Sequence, residues 1–302
     1  MRTIIITGLC IACFGICLQG QVQVMNVSPA QTDPAVTNVH GDHMVLLDAG
    51  VKPLNKLLLM IVGTGAAAKE FLPFDSVAAR MGYRVISIDY RNTVITTVCS
   101  NSEDSSCFYN FRQEIVFGEP VSPLVEVDSA NSIYHRVFAL LRYLAKKYPQ
   151  QNWQQYLRGN SIAWQHVTVA GHSQGAGHAA YLGKKFAVDR VLIFAGPQDY
   201  MVHFNRPAGW LSKKGSTSSS RYFAFLHRND PFDFNKQLAD CVQLMQTANT
   251  ATVTAIPGEV IRQHPHILVT DIETANPHGS MMQPAFIKAW AYLLSPPPVS
   301  KK

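Results

Sequence analysis

The chain has 302 residues, of which 47% are hydrophobic and 15% are charged, and its formal net charge is +6. This composition supports a sizeable core and is unlike that of a disordered chain, and the length suits one large α/β domain or two small ones. The Lys and Arg residues form only short, scattered pairs, such as 146–147 and 213–214, rather than a patch or stripe. Nucleic-acid binding is therefore disfavoured.

The N-terminal residues predict export. Arg2 is the only charged side chain before Asp33, and residues 4–18 form an apolar run that ends shortly before Gly20. A basic start followed by an apolar run and small residues is typical of a secretory signal peptide, here residues 1–20. The run is too short for a stable membrane span, which needs about 20 residues. Lipidation at Cys17 is a minor alternative, because Phe14 stands where such signals usually carry Leu.

Three cysteines remain after such a segment is removed. Cys99 and Cys107 lie in one polar stretch, and an exported protein can form disulfide bonds, so a local disulfide between them is expected. Cys241 lies in an amphipathic stretch and is interpreted as a buried free thiol. No His/Cys pair has the spacing of a zinc site, and no metal or organic cofactor is expected.

Strands and helices are predicted in alternation along most of the chain. Residues 21–35 show no periodicity and are expected to form a flexible lead-in, and residues 296–302 a tail. Between them the predicted strands are 56–63, 84–90, 166–171, 190–196, 221–227 and 267–272, and the predicted helices are 67–81, 127–148, 175–186, 234–247 and 281–294, with a polar loop at 91–123. This order predicts one α/β domain over residues 36–295, with a mostly parallel sheet and helices on both faces.

The segment with the clearest chemistry is residues 166–178. A predicted strand runs into Gly171-His-Ser173-Gln-Gly175 and then into a helix of small residues. This is the G-x-S-x-G nucleophile elbow in its strand–turn–helix setting. Serine projects its hydroxyl from a strained turn there, and glycine at Gly171 and Gly175 lets the neighbouring backbones approach. Ser173 is therefore the candidate nucleophile.

On these residues the chain resembles the α/β-hydrolase superfamily, and the resemblance covers residues 36–295. It implies an α/β-hydrolase fold and the order Ser–acid–His along the chain, with the acid after a late strand and the histidine after the last strand. His278 follows the strand 267–272 in a Pro/Gly loop and is the candidate general base. The other histidines belong to the elbow or lack this strand context.

The candidate acid is Asp230, three residues beyond the strand 221–227 and followed by Pro231. Asp199, after the strand 190–196, is a rival because some members of the superfamily use that place. Asp233 is a second rival, although it could equally be a helix N-cap. Asp230 is preferred because its strand is expected to adjoin the last one.

Ester hydrolysis also needs two N–H donors for the oxyanion. The elbow supplies one from Gln174, the residue after the nucleophile. The second is expected in the glycine turn after the strand 56–63, from Thr64, with Gly65 next. Many relatives carry His-Gly at the start of that turn where this chain has Val62-Gly63, but a backbone donor does not depend on this difference.

The sequence therefore predicts an exported serine hydrolase that acts on carboxylic esters, with a small-molecule or lipid-like ester as substrate. The segment between 199 and 221 is too short for a helical cap, so an open cleft is expected, with Met201, Phe204 and Trp210 as candidate walls. An acyltransferase or a peptidase on the same residues remains open, because the triad alone does not set the bond cleaved. A non-catalytic binding protein on this fold is the alternative of another class.

Overall fold

The computed structural model describes residues 21–246, 252–261 and 264–295. The expected signal peptide at 1–20, including Cys17, and the expected tail at 296–302 lie outside these residues. Among the described helices, none has the length and apolar character needed to cross a membrane.

The strands of the described residues form one large sheet and two small hairpins. In chain order they are β1 Val22–Val27, β2 His43–Asp48, β3 Leu57–Ile61, β4 Arg84–Ile88, β5 Leu157–Arg158, β6 Ser161–Ile162, β7 Val167–His172, β8 Arg190–Phe194, β9 Tyr200–Met201, β10 Arg206–Pro207, β11 Tyr222–His227, β12 Thr252–Thr254 and β13 Ile267–Thr270. The large sheet has the order β1-β2-β4-β3-β7-β8-β11-β13-β12, and β5-β6 and β9-β10 are the hairpins.

Most neighbouring strands of the large sheet are parallel, as the alternation of strands and helices predicts. Only β1 with β2 and β2 with β4 pair antiparallel. The central strands β3, β7 and β8 are buried at every position, which matches their mostly apolar sequences and requires cover on both faces of the sheet.

The helices supply that cover. They are α1 Pro29–Thr32, α2 Leu72–Arg80, α3 Cys107–Phe117, α4 Ile133–Lys147, α5 Gln174–Lys185, α6 Phe234–Met245, α7 Pro277–Ser280 and α8 Ile287–Leu294. Helix α2 packs against α8, and α3 packs against both α4 and α5. Phe74 of α2 contacts the rings of Phe194 in β8 and Trp290 in α8, so these helices share one core with the sheet.

The prediction of a flexible lead-in at residues 21–35 is wrong, because these residues form β1 and α1. Strand β1 pairs with β2 from Val22↔Asp48 to Val27↔His43. It is an edge strand whose side chains are exposed or half-buried, with Val27 buried at its end. Such a strand is held by backbone hydrogen bonds to its neighbour, and it lacks the apolar alternation that would reveal it in the sequence.

The polar loop predicted at 91–123 contains a helix, α3. Its buried face includes Arg112, Gln113 and Glu114, which do not form a recognisable apolar stripe. The expected disulfide between Cys99 and Cys107 is confirmed, with a Cα–Cα distance of 5.5 Å, and it joins a short 3-10 turn to the first residue of α3. Cys241 is a buried free thiol, as expected.

Other boundaries differ at the ends of elements. Helix α4 begins at Ile133 instead of 127, because Ser132 accepts a hydrogen bond from the N–H of His135 and caps the helix there. The helix predicted at 281–294 is confined to α8, after a 3-10 turn at Pro284–Phe286. Strands β2 and β12 and the two hairpins β5–β6 and β9–β10 lie where the sequence predicts no strand.

Candidate active site

The nucleophile elbow lies between β7 and α5, at the centre of the sheet. Ser173 has φ 57° and ψ −124°, a left-handed φ that is strained for a residue with a side chain. A Cβ at Gly171 would overlap the carbonyl of Gly175, and a Cβ at Gly175 would overlap the carbonyl of Ile61 in β3. Both positions thus require glycine because the neighbouring backbone lies too close for a side chain, as expected from the sequence pattern.

The contact at Gly175 predicts a large effect on folding. In Gly175→Ala the new methyl group meets the Ile61 and Val62 carbonyls, which are main-chain atoms that cannot move aside cheaply. We expect a loss of about 3 kcal/mol or more in the free energy of unfolding, measured by denaturant titration. Gly209→Ala is the matched control, because in the described part of the chain no atom beyond its own helical turn and chain neighbours lies within 4 Å of its Cβ position. Equal stability of the two variants would contradict this explanation of the motif.

His278 and Asp230 form a hydrogen-bonded pair. His278 lies in α7, directly after the loop that follows β13, and its Nδ1 is 2.8 Å from Asp230 Oδ2. Asp230 follows β11, which pairs with β13, so the two loops meet at one edge of the sheet. The second carboxylate oxygen of Asp230 accepts from the N–H of Phe232 at 2.8 Å.

The negative charge of Asp230 determines which ring nitrogen of His278 carries the proton. Burial alone raises the pKa of Asp230, but the hydrogen bonds from His278 and from the Phe232 N–H outweigh it, and the pKa of Asp230 is lowered overall. An ionised carboxylate can only accept a hydrogen bond, so Nδ1 of His278 must carry the proton. The Nε2 atom of neutral His278 is then free to accept a proton.

The two rival acids have other partners. Asp199 is fully buried, forms an ion pair with Arg112 and accepts from Trp210 Nε1 at 2.8 Å. Asp233 caps α6 by accepting from the N–H groups of Asn235 and Lys236. Neither carboxylate contacts His278.

Ser173 and His278 line the same cleft, which has a volume of about 610 Å³. Among the described residues the hydrogen-bond partner of Ser173 Oγ is the side-chain amide of Gln198, which donates at 3.4 Å. His278 is not within hydrogen-bonding geometry of Ser173. Contacts between a nucleophile and its base are commonly long without substrate and shorten in the complex.

The N–H groups of Thr64 and Gln174, the two expected oxyanion donors, differ from the N–H of Gly65 in their hydrogen bonds. The N–H of Gly65 donates to Asn92 O at 3.1 Å, so it is already used. Within the described part of the chain, the N–H groups of Thr64 and Gln174 donate to no protein acceptor. The Thr64 hydroxyl also donates to Gln174 Oε1 at 2.7 Å, which links the glycine turn to the elbow. This arrangement favours Thr64 over Gly65 as the second donor.

Three features agree with the fold that the sequence predicts. They are the order of the strands in the sheet, the elbow after the central strand β7, and the order of Ser173, Asp230 and His278 along the chain. The chain has the α/β-hydrolase fold.

Comparisons with known proteins give only distant likenesses. No family model and no curated protein matches the sequence. Similar solved structures include the Thermus thermophilus protein TT1662 (13% identity, 92% of this chain and 100% of that one, TM-score 0.45) and a bacterial heroin esterase (12%, 92% and 83%, TM-score 0.45). A putative dienelactone hydrolase from Klebsiella pneumoniae is another (10%, 91% and 100%, TM-score 0.44). The assignment of the α/β-hydrolase fold to this chain rests on its own strand order and elbow.

The walls of the cleft are not those expected from the sequence. Met201 and Trp210 are buried away from the cleft, and Phe204 does not line it either, because this segment folds back as the β9–β10 hairpin and a 3-10 turn. The large apolar side chains of the cleft are Phe71, Ile95, Phe232 and Met282, and Glu70 contributes a carboxylate.

A buried cation near the elbow was also missed. Arg112 of α3 donates to the carbonyl of Gln174 at 3.2 Å while it pairs with Asp199. Its guanidinium lies where a side chain at Gly177 of α5 would be. A glycine inside a predicted helix was the one signal of this close approach in the sequence, and it did not indicate which side chain fills the space.

Gln198 beside Ser173 was likewise missed, since a single polar residue after a strand carries no motif. The described residues contain no group of three or more His, Cys, Asp or Glu side chains that could hold a metal ion.

Proposed function

We propose that this protein is an exported serine hydrolase that cleaves carboxylic esters, with Ser173 as nucleophile, His278 as general base and Asp230 as the orienting carboxylate. The observation that carries the proposal is the 2.8 Å hydrogen bond between His278 Nδ1 and Asp230 Oδ2, in a cleft that Ser173 also lines. A nucleophile on a strained turn, an imidazole and a carboxylate are the three roles that this chemistry requires.

In the proposed reaction, Ser173 Oγ attacks the acyl carbon of the ester while His278 Nε2 takes the hydroxyl proton. The tetrahedral intermediate collapses, His278 gives the proton to the departing alkoxide, and an alcohol leaves. Water then attacks the acyl-enzyme on Ser173 and gives a proton to His278. Collapse of the second intermediate releases the carboxylic acid and returns the proton to Ser173.

The negative oxygen of each intermediate needs donors that are already in place. The unused N–H groups of Thr64 and Gln174 support this role, and the hydrogen bond between their side chains holds the two segments together. Loss of one such donor is typically worth about 10²- to 10³-fold in turnover.

The cleft supports a small, uncharged ester as substrate. Its volume of about 610 Å³ is in the range of sites for small organic ligands, and its walls combine apolar side chains, among them Phe71, Ile95 and Phe232, with polar groups. Glu70 adds an exposed negative side chain whose Oε1 accepts from the N–H of Ala67 at 2.8 Å. A carboxylate at the wall repels an anionic acyl group, so neutral acyl groups are favoured.

The proposal is tested with p-nitrophenyl esters and purified protein. We expect hydrolysis of the butyrate at a higher kcat/KM than the hydrogen succinate, which is anionic. His278→Ala should lose the activity. Glu70→Gln should raise kcat/KM for the succinate by about threefold at low salt and leave the butyrate rate unchanged, because exposed charges interact weakly and are screened by salt.

Two results would count against this proposal. Absence of hydrolysis for every ester in the panel would remove the esterase activity, and an undiminished rate in His278→Ala would remove the assigned base.

Export is supported by the disulfide between Cys99 and Cys107, since such bonds persist outside the reducing cytosol. We expect the mature protein to be recovered outside the cytoplasm with its N-terminus near Gln21. Recovery of the full-length chain in the cytoplasm would contradict export.

A further inference from the structure

The loop that carries His278 is fixed by two other histidines. Residues 271–276 connect β13 to α7 and are mostly exposed, so this loop has few buried contacts of its own. At one end, His227 Nε2 donates to the carbonyl of Ile272 at 3.0 Å. At the other, His172 Nε2 lies 2.9 Å from the carbonyl of His278 itself.

We propose that His172 is a positioning residue: its Nε2–H holds the main chain of His278, as its hydrogen bond to the His278 carbonyl shows. This inference rests on the proposed function, because it assigns a role to a residue that acts through His278. His172 is the last residue of β7 and directly precedes Ser173. One short segment therefore fixes both the nucleophile and the base.

The direction of this hydrogen bond follows from its acceptor. A carbonyl oxygen can only accept, so Nε2 of His172 must carry a proton. Burial first, and the neighbouring His278 second, lower the pKa of His172 to about 4, so the ring is neutral with its single proton on Nε2 at neutral pH. A neutral ring does not compete with His278 for the charge of Asp230.

The ring of His172 is held in turn by its surroundings. It packs against the ring of Phe71, with the two centroids 5.5 Å apart, and its centroid lies 4.9 Å from that of His278. Its Nδ1 is 3.4 Å from the Cβ position at Gly63, in the turn that leads to Thr64. The His172 ring thus packs between the glycine turn and His278.

Two separate constraints then act on His278. Asp230 sets the orientation and tautomer of the imidazole through Nδ1, whereas His172 sets the position of the main chain from which the imidazole extends. Displacement of a catalytic group by about 1 Å can cost about 10²-fold in rate. Loss of the His172 donor is therefore expected to lower kcat and to leave KM nearly unchanged, because this N–H is used on the His278 carbonyl and not on the substrate.

The test compares His172→Gln with His172→Asn. The amide nitrogen of glutamine reaches the place of the imidazole Nε2, whereas the shorter asparagine reaches only that of Nδ1, so only the first variant keeps the donor. We expect kcat for p-nitrophenyl butyrate to fall about 10- to 100-fold in His172→Asn and less than about fivefold in His172→Gln, with KM within about twofold of wild type in both. His266→Gln is the control, because glutamine does not place its amide nitrogen at Nδ1 and so removes the 2.8 Å hydrogen bond from His266 Nδ1 to the Tyr222 carbonyl, outside the cleft.

A second measurement does not depend on activity. The His278 Nδ1 proton shared with Asp230 should give a downfield proton NMR resonance, assigned by its loss in Asp230→Asn. We expect this resonance to persist in wild type and His172→Gln and to shift or broaden in His172→Asn. If the wild type hydrolyses no ester but the resonance responds in this way, the proposed function fails and the positioning role stands. Equal kcat and equal spectra in the two His172 variants would overturn the positioning role.

Discussion

Ser173→Ala is expected to lower the turnover of p-nitrophenyl butyrate by about 10⁶-fold, the size of loss found when another serine hydrolase loses its nucleophile. The reason is that the oxyanion donors and the imidazole remain but no acyl-enzyme can form. The fold should survive, because alanine has the same Cβ as serine at φ 57°, and among the described residues Oγ has only the long 3.4 Å hydrogen bond from Gln198.

The measurement is the steady-state rate of the purified variant, together with its thermal unfolding midpoint. Ser212→Ala is the control, since the Ser212 hydroxyl is exposed and donates to the nearby Gly209 carbonyl. It should keep the wild-type rate. A Ser173→Ala protein that retains more than about one part in 10⁴ of the wild-type turnover would remove Ser173 as nucleophile.

Asp230→Asn is expected to lower turnover by about 10⁴-fold with little change in KM. An asparagine side chain at this place can donate to Nδ1 of His278, which favours the tautomer with its proton on Nε2. That tautomer cannot accept the proton of Ser173. The stability of the protein should change little by comparison, because the carbonyl oxygen of the new amide side chain can still accept from the Phe232 N–H, as Asp230 Oδ1 does.

Asp199→Asn is the matched comparison, and its effect should appear in stability. Asp199 is the carboxylate partner of Arg112, and both side chains are fully buried. Removing one member of a buried ion pair leaves the other charge uncompensated and typically costs about 3–5 kcal/mol in the free energy of unfolding. Denaturant titration and steady-state kinetics on both variants test this contrast. If Asp199→Asn loses turnover and Asp230→Asn loses stability, the acid has been assigned to the wrong strand.

The parts of the site that the sequence predicts are those with a local pattern. The elbow around Ser173 is predictable because strand, turn and glycine spacing are all local. The pairing of Asp230 with His278 follows from element order, since parallel strands direct their C-terminal ends to one edge of the sheet. The continuous apolar runs of β3 and β8 predict a buried parallel sheet for the same local reason.

The parts that the sequence does not predict depend on distant partners. Arg112 is buried because it forms an ion pair with Asp199, 87 positions later in the chain. Without knowledge of that partner, the sequence of α3 is typical of a polar loop. Strand β1 is held by the backbone of β2, and its side chains carry little of the signal. His172 looks like a packing residue of the elbow until the carbonyl of His278, 106 positions later, is found beside it. Hydrophobic periodicity carries no information about contacts between residues that are far apart in the sequence.

The central claim, that Ser173 is a nucleophile activated by His278, is tested most directly by a fluorophosphonate probe and intact-protein mass spectrometry. The purified wild-type protein should gain one probe adduct, and peptide mapping should locate it on Ser173. His278→Ala and Ser173→Ala should gain none under the same conditions. A wild-type protein that stays unlabelled, or an adduct on another residue, would contradict the account.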